Sequence, residues 1–417
     1  MSEKLAINGG TPVREKRLPL PYCGASVYGQ EEIDAVTEVI KAKSPFRYYG
    51  ENVLGKVKQF EAALCQKFHA AHALGLTSGT ASVIVALKAA GIQPGDKVIV
   101  PAITFIASAG AVVSAGAVPV FAECDDSFNI DPNELEKVID KDVKAIMTVP
   151  ILGNPCDMDP IMAVAKKHNL KVVEDVAQSM GSRYKGKYSG TFGDVGAFSL
   201  QMNKIITTGD GGIIATNDPV CYERAVRFHD QGMFREREGF LNMSGEDEIF
   251  IAQNFRMSEI TGAIALAQFG KLDQIIGKMR KINHMIKDGI KDIDGLTFRR
   301  IVDEEGEAGN AIIMMAPTEE LSIEISKAMA AENVGVGRLY GGRPVYELPQ
   351  IMKQMTVDQN HFPFNQLEKA VEYHAGMCPN AEGYCKRNLL VSITPEFTEQ
   401  DAQDVITAFH KVAKALL

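Results

Sequence analysis

The sequence has no Cys-x-x-Cys pair, no basic tail and no low-complexity tract. Its seven cysteines stand at 23, 65, 124, 156, 221, 378 and 385, an odd count whose spacings support neither a disulfide framework nor a zinc site. Forty-four basic residues against fifty-three acidic ones leave a net charge of −9, spread along the chain. That balance excludes a dedicated nucleic-acid binder, whose affinity rests on clustered Lys and Arg. A small anion in one basic pocket stays open. The opening residues, MSEKLAINGGTPVREKRLPL, lack the apolar stretch of a secretory signal, so a cytoplasmic, reducing location is expected.

One uncharged stretch, 98–122, has the length of a membrane span, but Pro101 and Pro119 interrupt it and Gly110 and Gly116 lie between them. It reads as a buried strand, a small-residue helix and a second buried strand, and no membrane association is expected. Through the middle of the chain, short apolar runs alternate with helical periodicity: KVIVP, AVPVFAE, VKAIMTVP, KVVEDVA, VGAFSL and GGIIATN. This pattern predicts an α/β fold, with a mostly parallel sheet of about seven strands between helices. From Ser258 the pattern changes to one long amphipathic helix, then the strand-like TFRRIV and NAIIMMAP, and a last helix capped by Thr398. The expected division is a large domain over 41–275 and a smaller α/β domain over 276–417, with 1–40 packed against the smaller one.

Familiar nucleotide motifs fail. No strand leads into G-x-G-x-x-G, and GSRYKGKY at 181–188 resembles a phosphate loop but carries Tyr188 where Ser or Thr must hold magnesium. His69 and His72 lie one turn apart without a third ligand nearby, which predicts a surface helix rather than a metal site.

Three separate pieces fit one chemistry. Thr77-Ser78-Gly79-Thr80-Ala81 opens a helix, where hydroxyls and free backbone N–H groups make an anion site. KVVEDVAQS places Asp175 at the carboxyl end of a buried strand, the position at which open α/β sheets bind ligands. GAFSLQMNKIITTGDGG carries Lys204 between Met202 and Ile205-Ile206, surroundings that desolvate an amine, lower its pKa and make it a nucleophile. The glycines after it suggest that backbone passes close to something bound. Each piece alone has a plain structural reading: an N-cap, a salt-bridged carboxylate, a solvated lysine. Together they are what pyridoxal 5′-phosphate requires.

On these pieces, and on YYGENVLGKVKQFE, LTSGTASVIVALKAAGIQPGDKVIVPAITF, GNPCDMDPI and QNFRMSEITGAIALAQ, the chain resembles the fold-type-I pyridoxal-phosphate sugar aminotransferases of the StrS/DegT family, from about residue 25 to the end. The resemblance implies that Lys204 forms the Schiff base and afterwards carries the proton of the donor Cα. It implies that Asp175 pairs with the ring nitrogen, that Gln178 lies near the ring hydroxyl and that Phe105 stacks on the ring. Gly79, Thr80, Ala81 and Ser199 would hold the phosphate with Asn254 of a neighbouring subunit, so a homodimer with shared active sites is implied. The implied reaction moves an amino group from L-glutamate or L-glutamine to a keto- or aldehydo-sugar or a ketocyclitol. The implied alternatives are a nucleotide-linked keto-sugar as acceptor, a sugar dehydratase or a non-catalytic sensor.

The chain departs from the family pattern in two places. Gln201 stands where many members that act on nucleotide-linked sugars have His, which is similar to the cyclitol and aminohydroxybenzoate branches. Asp210 stands where Glu is usual. Arg235, Arg237, Arg338 and Arg343 lie in segments that approach the substrate in relatives, and any of them would suit a carboxylate or phosphate. If one does bind such a group, a sugar acid such as an oxidised octulosonate becomes an attractive acceptor.

Overall fold

The computed structural model describes residues 4–235, 241–242 and 249–417. Seven apolar runs form one sheet: β1 His72–Leu76, β2 Lys97–Pro101, β3 Val118–Ala122, β4 Val143–Thr148, β5 Lys171–Asp175, β6 Val195–Ser199 and β7 Gly212–Thr216. Their spatial order is β1-β7-β6-β5-β4-β2-β3. Strands β2 to β6 pair in parallel, and β7 runs antiparallel to both of its neighbours. This is the mostly parallel sheet that the apolar runs predict, and all six runs read from the sequence lie in it.

The seventh strand, β1, overturns the helix expected at His69 and His72. His69 ends the preceding helix in the left-handed region at φ 57°, and His72 opens β1 with its ring stacked on Tyr222 at 4.5 Å. HALGL is short and interrupted by glycine, so its own periodicity is weak. The GSRYKGKY segment is a hairpin, Arg183–Tyr184 against Lys187–Tyr188, turning on Lys185 and Gly186, both at positive φ. Its backbone is committed to that turn and does not wrap a phosphate.

Both faces of the sheet are covered. Successive residues of one strand enter opposite cores, as Ile213 and Ile214 of β7 do. The helices longer than one turn are α1 Gln30–Ala42, α2 Lys56–Phe68, α3 Gly79–Ala89, α4 Ile106–Ser114, α5 Met158–His168, α6 Pro219–His229, α7 Glu259–Gly270, α8 Leu272–Ile290, α9 Glu319–Ala331, α10 Pro379–Arg387 and α11 Glu399–Leu416. Helices α3, α4 and α6 cover one face; α2, α7 and α8 help to cover the other.

The single long helix expected after Ser258 is two helices. α7 ends on Gly270, a weak helix former, and Lys271, at φ −94° and ψ −4°, is the turn residue between the two helices, with its amine on the Val27 carbonyl at 2.9 Å and on Glu32 at 2.8 Å. Beyond it, β8 Thr297–Phe298, β9 Ala311–Met315 and β10 Asn388–Ser392 form a small antiparallel sheet. Thr398 caps α11 as expected, accepting from the Asp401 N–H.

The amino-terminal segment divides between the two parts. Buried Glu332 accepts from the N–H groups of Ala6 at 2.8 Å and Val13 at 2.9 Å and pairs with Lys411 at 2.9 Å, which seats residues 5–14 on the smaller part. α1 instead packs on α7, where Gln268 donates to Glu32 at 2.8 Å. Among the described residues no helix is long and apolar enough to cross a membrane.

Candidate active site

The carboxyl ends of β5 and β6 open into a cavity of about 430 Å³. Its walls carry Ser78, Gly79 and Thr80 from the start of α3, Phe105 at the start of α4, Asp175 at the end of β5 with Gln178 beyond it, and Ser199 at the end of β6 with Gln201 and Lys204 beyond it. Thus the three pieces read from the sequence, more than a hundred residues apart at their extremes, meet at one place. Open parallel sheets bind ligands at this edge because strand ends and helix starts converge there.

The start of α3 is built for close approach. Ser78 caps the helix by accepting from the Ala81 N–H at 3.1 Å, which leaves the N–H groups of Gly79 and Thr80 without a helical acceptor. A side chain at residue 79 would overlap Ser199, so glycine is required for the helix and β6 to meet. Ala81 does not line the cavity: its N–H is spent on Ser78 and its side chain is buried. Of the glycines after Lys204, Gly211 and Gly212 do not match the expectation of backbone against a ligand, whereas Gly209, at φ 85°, has open space where a side chain would stand. A Cβ on Gly212 would strike Ser78 and Ser82, and one on Gly211 would strike Thr208. They let β7 and its loop pack against protein.

Asp175 is buried at the cavity floor, where Ser108 donates to one oxygen at 2.7 Å and the Ala177 N–H to the other at 3.1 Å. Thr104 lies 2.7 Å from the Ser108 hydroxyl and completes the relay. Burial raises the Asp175 pKa above the usual carboxylate range, opposed by Ser108, Ala177 and the charge of Lys204. The Lys204 amine has no hydrogen bond or ion pair among the described residues; burial lowers its pKa, and Asp175 opposes that shift. Ile205 and Ile206 are buried as expected, whereas Met202 is exposed.

These features match pyridoxal phosphate piece by piece. The free N–H groups of α3 suit its phosphate. Phe105, 55% exposed on the cavity wall, offers a bare aromatic face to its ring. Asp175, buried without an ion pair, suits a protonated ring nitrogen, and the unpaired amine of Lys204 suits its carbonyl.

The remaining sequence-predicted residues lie elsewhere. Asn254 is exposed outside the cavity, its side-chain oxygen accepting from the Arg256 N–H at 3.2 Å. Arg235 is held by Asp230 and stacks over Phe46 and Tyr48. Arg338 pairs with Glu319 at 2.8 Å and donates to the Lys386 carbonyl at 2.7 Å, and Arg343 is exposed. None of these three arginines lines the cavity of its own chain, because their charges are committed elsewhere or face solvent. Arg237 lies outside the described residues. Sequence reasoning missed Ser108, Asn310 and Tyr340, all on the cavity wall. Thr104 and Ser108, four apart in an apolar run, were a readable sign of an inward polar face; Tyr340 had only its place between Arg338 and Arg343 to mark it.

A mostly parallel sheet with a lysine, a buried carboxylate and a helix-borne anion cradle at its carboxyl edge defines the fold-type-I pyridoxal-phosphate enzymes. The chain belongs to the DegT/DnrJ/EryC1/StrS aminotransferase family, which matches residues 27–410. It is 40% identical over 238 residues to the GDP-perosamine synthase of Escherichia coli O157:H7, a match spanning 57% of this chain and 64% of that protein. It is 34% identical over 299 residues to the L-glutamine:2-deoxy-scyllo-inosose aminotransferase of Streptomyces kanamyceticus, covering 69% and 68% of the two chains. The solved aminotransferase of Psychrobacter cryohalolentis superposes with a TM-score of 0.82 at 27% identity, covering 96% of this chain and 99% of that one.

Proposed function

We propose that the protein is a pyridoxal-phosphate-dependent aminotransferase that moves an amino group from L-glutamate or L-glutamine to a carbonyl of a sugar or cyclitol. The observation that carries this reading is the unpaired amine of Lys204 sharing one cavity with the buried carboxylate of Asp175. Pyridoxal phosphate supplies a reactive carbonyl carbon and a ring that draws electrons from a deprotonated donor Cα.

The rest is the work of this chain. Gly79, Thr80 and Ser199 bind the phosphate through free N–H and hydroxyl groups. Asp175, held by Ser108, keeps a proton on the ring nitrogen. Phe105 covers the ring face and excludes water. Lys204, its pKa lowered by desolvation, would take the proton from the donor Cα and pass it to the carbonyl carbon of the cofactor within the first half-reaction, and would carry a proton the opposite way, to the acceptor carbon, in the second. The same lysine argues against dehydration as the reaction, since a group that can deliver that proton completes the transfer.

The acceptor is a keto- or aldehydo-sugar or a ketocyclitol. The likeness to the glutamine:inosose aminotransferase and the neutral Gln201 on the cavity wall support an acceptor free of nucleotide. The 40% identity to a GDP-perosamine synthase favours a second reading, a GDP-linked keto-sugar. With no arginine of its own chain on the described cavity wall, an acidic sugar has less support than a neutral one.

Asn254, exposed and outside the cavity, is assigned to the partner's site in a homodimer, and the exposed Ile33 and Ile40, on one face of α1, support such a partner. Seven free cysteines and no membrane-length helix among the described residues support a cytoplasmic reaction. Lys204→Ala is expected to leave no multiple-turnover transamination with either donor, followed as 2-oxoglutarate formed from glutamate or 2-oxoglutaramate formed from glutamine. Turnover near wild type contradicts the reading.

A further inference from the structure

The cavity holds a tyrosine that the reaction as described leaves unused. Tyr340 sits in the loop Leu339–Gly342 of the smaller part, yet it lines the cavity at the edge of the large sheet. Its backbone is in the left-handed region, φ 51° and ψ 28°, which residues with a Cβ rarely adopt. Such backbone persists only where the surroundings hold it. Here Asn388 accepts from the Leu339 N–H at 2.6 Å, and Gly341 and Gly342 continue at φ 67° and 81°. A side chain on Gly342 would overlap the Arg338 guanidinium, so the turn is fixed on both sides of Tyr340.

The hydroxyl of Tyr340 accepts from the side-chain amide of Gln178 at 2.7 Å. The Gln178 backbone carbonyl accepts from Asn310 at 3.3 Å. Tyr340 and Asn310 both belong to the smaller part, whereas Gln178 follows β5 of the large sheet. Gln178 is therefore held at both ends from across the cavity. Burial keeps the Tyr340 phenol protonated, and its own proton has no acceptor among the described residues. One N–H of the Gln178 amide is committed to Tyr340, and the other is left for whatever occupies the cavity.

We infer that Tyr340 is a positioning residue: its hydroxyl fixes the Gln178 amide as a donor to the ring oxygen of the cofactor, so that the site is complete only when the smaller part is seated. The inference rests on the pyridoxal-phosphate reading above. A donor to that oxygen stabilises the more negative, deprotonated form of the lysine-bound chromophore, so losing the donor raises its titration midpoint.

The test uses the cofactor-loaded protein as wild type, Tyr340→Phe, Gln178→Leu and the double variant. It reads the pH midpoint of the visible absorption, the dissociation constant for pyridoxal phosphate added to stripped protein, and the melting temperature. Y340F is expected to raise the midpoint by about half a unit to one unit, the size of one hydrogen bond. Q178L is expected to raise it at least as far, and the double variant no further than Q178L, because residues that act through one another do not add. Additive shifts overturn the inference. So does a Y340F protein with a lower melting temperature and an unmoved midpoint, or one that does not fold, since the hydroxyl then serves the fold rather than Gln178. A wild-type protein with no Lys204-dependent band overturns the cofactor reading, and the inference with it.

Discussion

Asp175 and Lys204 each stand where an ionised group is costly, and each eases the other's burden. The Asp175 carboxyl titrates higher in the folded chain than in the unfolded one, so the cofactor-free fold binds the extra proton between the two values. Its stability falls as pH rises through that window, and the cost is complete above it. Asp175→Asn is therefore expected to melt higher than wild type without cofactor at pH 8 and no higher at pH 3.5, while its transaminase activity falls. Thermal melts at the two pH values check this. The site residues legible in the sequence were those whose chemistry demands a residue type: a lysine, a terminal-strand acid, a glycine at a helix start. Tyr340 and the pairing of Ser108 with Asp175 were not legible, because they depend on partners 162 and 67 positions away.

At the scale of elements, the start of α3 joins fold to function. Gly79→Ala adds a methyl group that meets Ser199, and overpacking of this kind costs about 1–3 kcal/mol. The helix must back away from β6, taking its free N–H groups with it. Pyridoxal phosphate is expected to bind roughly tenfold more weakly, the worth of one hydrogen bond to a charged group, as read by titrating stripped protein. The six strands with long apolar runs could be read directly because burial on both faces leaves no alternation to confuse. β1 could not, since five residues with a histidine and a glycine carry little pattern, and its place is set by pairing with β7. The break between α7 and α8 was likewise hidden, since apolar spacing continues across it and a single Gly270 is a weak sign until Lys271 is seen reaching for Glu32 and Val27.

Across the whole molecule, acid sensitivity has a source remote from the cavity wall. His229 is fully buried, with Tyr48 at 3.0 Å from one ring nitrogen and the Val226 carbonyl at the other. Burial, aided by the Arg47 charge, holds its pKa down to about 3 from 6.5. The unfolded chain thus binds the extra proton between those values, and stability falls as pH drops from 6.5 toward 3, by up to about 1.4 kcal/mol per pH unit. His229→Gln is expected to flatten the stability profile between pH 6.5 and 5, above the range where most carboxylates titrate. Urea unfolding across that range measures it, and an unchanged slope contradicts it.

The central claim is that this chain holds pyridoxal phosphate on Lys204 and accepts an amino group there. The most direct measurement is the visible absorption of the purified, cofactor-loaded protein before and after L-glutamate or L-glutamine is added without any sugar. A yellow band that disappears as a near-ultraviolet band of the aminated cofactor grows is the expected result. A protein that stays colourless after incubation with pyridoxal phosphate, or a yellow band unmoved by either donor, contradicts the account.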